Sequence, residues 1–189
     1  MGMFYGHNQS PVVLNIPLQL EIQTTSSNQS VTIPHLNGYI YNYTIDYGDG
    51  NIKTVSSYND VDCNNIYTTP GTYTISILGI CESIYVNGSG TLRTTIKKVL
   101  NWGNVGLKQI DFNGCSNLNN IVTDNVGGLS NVLNFGYTFY NCSSLTSIPI
   151  GLFNYSTQVS SFNSTFYGCT GLTSIPTDLF RYNTQVSTS

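Results

Sequence analysis

The sequence predicts a mainly β fold in two parts, a β-sandwich followed by a short solenoid of repeated coils. Three observations predict it. Charged residues make up only 8% of the 189, while Tyr alone supplies 14, so the Lys- and Glu-rich surface of exposed helices is missing. Short β-prone runs alternate with Gly, Asn and Asp turns through the first half. The second half repeats itself at a step of 27 residues.

Taken in order, residues 1–11 form an arm ahead of the first strand. Strands are expected at 18–25, 31–33, 39–47, 54–58 and 72–78. The stretch Tyr43-Thr-Ile-Asp46 alternates and then meets Tyr47-Gly-Asp-Gly50, a turn signal. Pro70-Gly71 likewise precedes an alternating run. Regular short strands with such turns suggest a sandwich. These residues also resemble a family. Tyr43 to Gly50, with the later Tyr67-Thr-Thr-Pro-Gly-Thr-Tyr73, is similar to the PKD-type immunoglobulin-like domain, although Asn65 stands where that family usually has His and Tyr47 replaces Phe or Trp. The resemblance covers roughly residues 12–90 and implies an immunoglobulin-like sandwich, to which residues 1–97 are assigned.

The repeats fill the rest. Residues 138–164 and 165–189 align almost position for position, and a weaker copy begins near 111. Cys115, Cys142 and Cys169 are 27 apart, as are Leu118, Leu145 and Leu172. A fixed apolar set at fixed spacing means coils that bury their apolar faces on one another. Cys and Leu therefore form inward ladders, with Phe112, Phe139 and Phe166 beside them. The Leu-Thr-Ser-Ile segments are expected as short strands ended by Pro149 and Pro176, followed by a turn or short helix. A second short strand is expected at 159–162. The pattern Phe-x-x-Cys-x-x-Leu-x-x-Ile-Pro resembles the BspA-like leucine-rich repeats, and its first coil departs from it at Val122 and at Gly127-Gly128. Residues 98–189 are assigned to this part, with 98–110 as junction and Trp102 as cap.

The composition excludes several functions. A net charge of −3 offers no basic surface for phosphates, so nucleic acid is not an expected partner. No apolar run approaches the ~20 residues of a membrane span, so no membrane insertion is expected. Residues 1–20 lack the basic start of a signal peptide. A removed signal, an intracellular life or release by lysis each fit that. Five cysteines without a C-x-x-C spacing point to neither a zinc site nor a simple disulfide framework. Cys63 and Cys81 either bridge strands or pack as small hydrophobes, with free thiols favoured. No cofactor is expected.

Candidate sites are few. Asp46, Asp49, Asp60 and Asp62 form the one acid cluster. It reads either as a weak Ca²⁺ candidate, centred on Asp46 and Asp49, or as turn carboxylates bonding their own backbone. His7 and His35 stand far apart without a nucleophile motif, and Asp124 and Asp178 fall in different coils, so no enzyme is expected. The binding candidates lie on the repeat surface: Thr146, Ser147, Thr173 and Ser174 as an outward polar strip, with Tyr155 and Tyr182 as exposed aromatics. Tyr140 and Tyr167 are expected as half-buried rims.

These resemblances imply a non-enzymatic adhesion protein, with a protein or glycan ligand, on a phage virion or a bacterial cell surface. The alternative is a purely structural virion assembly or decoration protein. Its uncapped last coil would dock on a neighbouring subunit, which makes an oligomer or a longer chain the expectation.

Overall fold

The computed structural model describes residues 15–88 and 90–187. The arm at 1–11, with His7, lies outside the described residues. Among these residues the strands are β1 (Leu18–Thr24), β2 (Gln29–Thr32), β3 (Tyr41–Asp46), β4 (Ile52–Val55), β5 (Asn64–Tyr67), β6 (Gly71–Cys81), β7 (Ser83–Tyr85), β8 (Ile96–Asn101), β9 (Gln109–Asp111) and β10 (Asn120–Ile121). A 3-10 turn (Val61–Cys63) precedes β5, and an α-helical turn, α1 (Leu92–Thr95), precedes β8. The fold is mainly β.

Alternation builds the first part. Leu18, Leu20 and Ile22 of β1 and Tyr41, Tyr43 and Ile45 of β3 point inward while their neighbours face out, as the two-residue period of a strand requires. β6 joins them, pairing antiparallel with β1 from Leu18↔Ile77 to Thr24↔Gly71, and with β3 from Tyr41↔Cys81 to Asp46↔Ser76. The β3–β4 hairpin turns through Gly48, whose φ is +78°. A Cβ there would lie 2.5 Å from the Thr74 carbonyl oxygen, so the turn needs glycine for both conformation and space. β2 and β5 pair with each other and add Val31 and Tyr67 to the core.

The sheet does not stop where the first part of the sequence pattern stops. β8 pairs antiparallel with the free edge of β1, and β10 pairs parallel with β8. The six-stranded order is β10-β8-β1-β6-β3-β4. Residues 98–101, expected as a junction, are therefore strand, and β8 runs across position 97/98. Ile96 and Val99 explain it, because both are buried and give β8 an inward face. Parallel pairing of β7 with β9 makes a second link to the repeats.

Within the coils the expected Leu-Thr-Ser-Ile strands are corrected. Only the first coil's counterpart, β10, is paired, because β8 offers it an edge. Residues 145–148 and 172–175 have no regular secondary structure and join no ladder. The segment 159–162 contributes a single bridge, Asn134↔Ser161. Backbone bonds between coils run elsewhere. The N–H groups of Phe135, Tyr137, Phe139 and Asn141 donate to the carbonyls of Ser161, Asn163, Thr165 and Tyr167 at 2.7–3.0 Å. The segments after Pro149 and Pro176 are turns, each begun by the proline carbonyl accepting from Leu152 or Leu179.

Cys115, Cys142, Cys169, Leu118 and Leu145 are buried, and Leu172 packs against the same core. The thiols of Cys142 and Cys169 donate to the carbonyls of Phe112 and Phe139 in the preceding coil, at 3.3 and 3.0 Å. Burial pushes all three ladder thiols above the ordinary cysteine range. One cluster of buried side chains runs without a break from Leu18 to Leu179.

Candidate functional site

A groove lies where the sheet meets the coils. Tyr39, ahead of β3, forms one wall. Lys108, Gln109 of β9, and Ser130, Asn131, Leu133, Asn134 and Gln158 line the rest. Its volume is about 650 Å³, inside the ~300–1,000 Å³ typical of small-ligand sites. The period explains part of this lining, since Asn131 and Gln158 are one 27-residue step apart and Gln185 continues the row.

The groove walls are held by backbone bonds. Ser160 donates its N–H and its hydroxyl to the Leu133 carbonyl, at 2.8 and 3.1 Å. The Asn134 side-chain oxygen accepts the Gly136 N–H at 2.6 Å. The one cation is neutralised. Lys108 Nζ lies 2.6 Å from Glu82 Oε1, and the other oxygen of Glu82 accepts the Ile40 N–H. The Lys108 ammonium and that N–H hold the Glu82 carboxyl below its usual range. The site is thus neutral, amide-rich and edged by one aromatic ring and the exposed Leu133.

None of the six binding residues expected from sequence lines this groove. Thr146, Ser147, Thr173 and Ser174 are exposed, as are Tyr155 and Tyr182. Tyr182 carries the Arg181 guanidinium 5.6 Å above its ring. Tyr140 is half-buried, but Tyr167 is exposed rather than a half-buried rim. The two rings stack at 5.0 Å and 14°, and Tyr167 is open because no further coil covers its outer face among the described residues. The sequence reading missed the groove because its residues come from four separated segments.

The acid cluster is a set of turn carboxylates. Asp46 accepts the Gly48 N–H, Asp49 accepts from Asn51 and Asn65, and Asp60 accepts from Ser56 and Asp62. Backbone N–H groups hold Asp60 below its usual range. Among the described residues no three His, Cys, Asp or Glu side chains gather as a metal cage.

His35 has partners that the sequence did not reveal. Its Nδ1 is 3.3 Å from Cys63 Sγ and its Nε2 is 3.0 Å from the Tyr43 hydroxyl, with Cys81 Sγ at 3.8 Å. Burial lowers His35 to about 4 and raises Cys63 to about 11. A nucleophilic Cys–His pair needs the reverse, a thiolate beside an imidazolium. All five cysteines are free thiols here.

Among the described residues no helix is long and apolar enough to cross a membrane. The geometry defines a mainly β protein with a neutral groove. Compared with family models, curated proteins and solved structures, the chain matches none.

Proposed function

We propose that the protein is a non-enzymatic, surface-exposed adhesion module. An immunoglobulin-like sandwich of the PKD type carries a leucine-rich-repeat solenoid, and the groove between them takes a neutral glycan. A phage virion or a bacterial cell surface is the setting. The observation that carries this reading is the groove lining. Carboxamides from Gln109, Asn131, Asn134 and Gln158 suit sugar hydroxyls, Tyr39 offers a ring, and Lys108 is already paired with Glu82. Charged ligands find no free countercharge there.

The test is binding of the full chain to an array of neutral and acidic oligosaccharides, followed by calorimetry on those bound. Neutral glycans are expected to bind, with affinity falling about tenfold or more for Asn134→Ala and Tyr39→Ala, since each removed contact contributes roughly 1.4 kcal/mol or more. Binding untouched by both substitutions, or confined to acidic glycans, overturns the reading.

A further inference from the structure

A second groove shares no residue with the neutral one. Its volume is about 410 Å³, inside the ~300–1,000 Å³ typical of small-ligand sites. Arg93 of α1 lines it. Much of the rest comes from equivalent positions one 27-residue step apart: Gly114 and Ser116 recur as Asn141 and Ser143, and Gly168 continues the first row. The lining holds neither an acidic nor an apolar side chain.

Arg93 differs from the lysines. Lys53, Lys98 and Lys108 pair with Asp62, Glu21 and Glu82. Arg93 is part-buried, yet it makes no ion pair among the described residues. Taking a charge partly out of water without a countercharge costs free energy. Its Nη1 donates to the Gly88 carbonyl. That bond fixes the guanidinium and leaves the edge formed by Nε and Nη2 without a partner among the described residues. This edge presents two parallel N–H groups, the fork that matches a carboxylate. The side chain lies close over Gly114, where a Cβ would meet Arg93 Cδ at 3.3 Å and Nε at 3.6 Å. Asp111 does not neutralise it. That buried carboxylate accepts the Asn87 and Asn113 N–H groups at 3.0 and 2.7 Å instead.

The remaining groups suit a ligand rich in hydroxyls. Positions 114, 141 and 168 have φ of +75°, +57° and +74°, a conformation that Gly and Asn tolerate best. Only the middle coil has a side chain there, and its carboxamide lies over Gly168. A Cβ on Gly168 would be 2.1 Å from Asn141 Oδ1, so glycine keeps room for that amide. The side chains of Asn113, Ser116, Asn141 and Ser143 make no hydrogen bond among the described residues, and each offers a donor and an acceptor. The backbone is engaged elsewhere. Gly88, Gly114 and Asn141 donate their N–H groups to the Asn113, Tyr140 and Tyr167 carbonyls, and Ser116 and Ser143 donate theirs to the Gly114 and Asn141 carbonyls. A peptide strand therefore lacks the free main-chain N–H groups that strand addition uses.

We propose that this groove is a second glycan site and takes an acidic sugar. The sugar carboxylate sits on the Arg93 fork, and its hydroxyls meet Asn113, Ser116, Asn141 and Ser143. A single cation with a planar fork suits a carboxylate monoanion. The site goes beyond the neutral groove and stands independently of it.

The test is calorimetry on the full chain with oligosaccharides carrying uronic or sialic acid, each paired with its carboxyl-reduced form. The acidic member is expected to bind about tenfold or more tightly. Arg93→Gln should remove that preference. Arg93→Lys should keep only part of it, because an ammonium retains the charge and loses the fork. Arg93 also braces the Gly88 carbonyl, so Asn141→Asp is the second variant. It places a negative charge in the groove at an exposed position and leaves the Gly88 bond intact. Acidic binding should weaken about tenfold or more at an unchanged melting temperature, while Tyr39→Ala leaves acidic binding as it is. Equal binding of acidic and reduced forms by the parent overturns the role of the fork. Acidic binding that survives both Arg93→Gln and Asn141→Asp overturns the site, as does its loss with Tyr39→Ala in their place. Preference for acidic peptides over acidic sugars overturns the ligand class. If no acidic oligosaccharide binds, this site falls, while neutral glycans bound through Tyr39 and Asn134 leave the first reading standing.

Discussion

The indole N–H of Trp102 donates to the Val122 carbonyl at 2.7 Å. This single bond ties the end of β8 to the first coil, while the ring packs 6.5 Å from Phe112 at the base of a Phe column. The chain passes tightly beside it. A Cβ on Gly128 would lie 2.2 Å from the Gly103 carbonyl oxygen, so the first coil carries glycine where the later coils carry Tyr155 and Tyr182.

Trp102→Phe is therefore expected to destabilise the protein by about 1–3 kcal/mol, because the Val122 carbonyl loses its donor. Trp102→Ala adds a cavity and should cost about 3–5 kcal/mol. Urea unfolding followed by circular dichroism measures both, since Trp102 is the only Trp and its fluorescence is lost. Equal costs for the two substitutions would show that the bond contributes nothing beyond the packed ring.

Asp124 gives a sharper contrast. It is buried, and its carboxylate accepts the N–H groups of Val126, Gly128 and Leu129 at 3.2, 2.9 and 3.0 Å. Its counterpart two coils later, Asp178, is exposed. Asp124→Ala leaves buried donors unpaired and should lower stability by about 3 kcal/mol, with Asp124→Asn intermediate. Asp178→Ala should change it by no more than about 0.5 kcal/mol. Chemical denaturation of the three variants checks this, and similar losses at both aspartates would sink the explanation.

The inward ladders were legible because Cys142, Leu145 and Phe139 recur one period later at Cys169, Leu172 and Phe166. The alternation in β1, β3 and β6 was legible for the same kind of reason. β5 and β7 were not. Asn64-Asn-Ile-Tyr67 and Ser83-Ile-Tyr85 are short, and their pairing depends on β2 and β9, which lie far away in sequence. β8 was read as a junction because Lys97 and Lys98 break its apolar pattern. In the fold Lys98 reaches Glu21 on the neighbouring strand at 3.0 Å. The groove was illegible for a related reason, since no local pattern announces that Tyr39 will face Gln158.

His35 makes the protein's stability depend on pH in a defined window. Burial lowers its pKa to about 4 from an ordinary 6.5, because Tyr41, Tyr43, Cys63 and Cys81 surround it with neutral groups. The unfolded chain takes up this proton as pH falls through 6.5, whereas the folded chain does so only near 4. Unfolding thus binds a proton between those values, and stability falls as pH drops from 6.5 to 4. The loss is on the order of 2 kcal/mol, at about 1.4 kcal/mol per pKa unit and less for residual solvent access. Carboxylates add their own dependence at the acid end. Asp60 and Glu82 are held low, so what they contribute is lost below their ordinary values of 3.8 and 4.5. Burial raises Asp111, which acts in the opposite direction. His35→Gln leaves those carboxylates in place and removes only the imidazole. The difference in urea midpoint between the parent and His35→Gln should be flat above pH 6.5 and change steadily down to pH 4. A difference that stays constant across that window would show that His35 is protonated as readily in the folded chain as in the unfolded one.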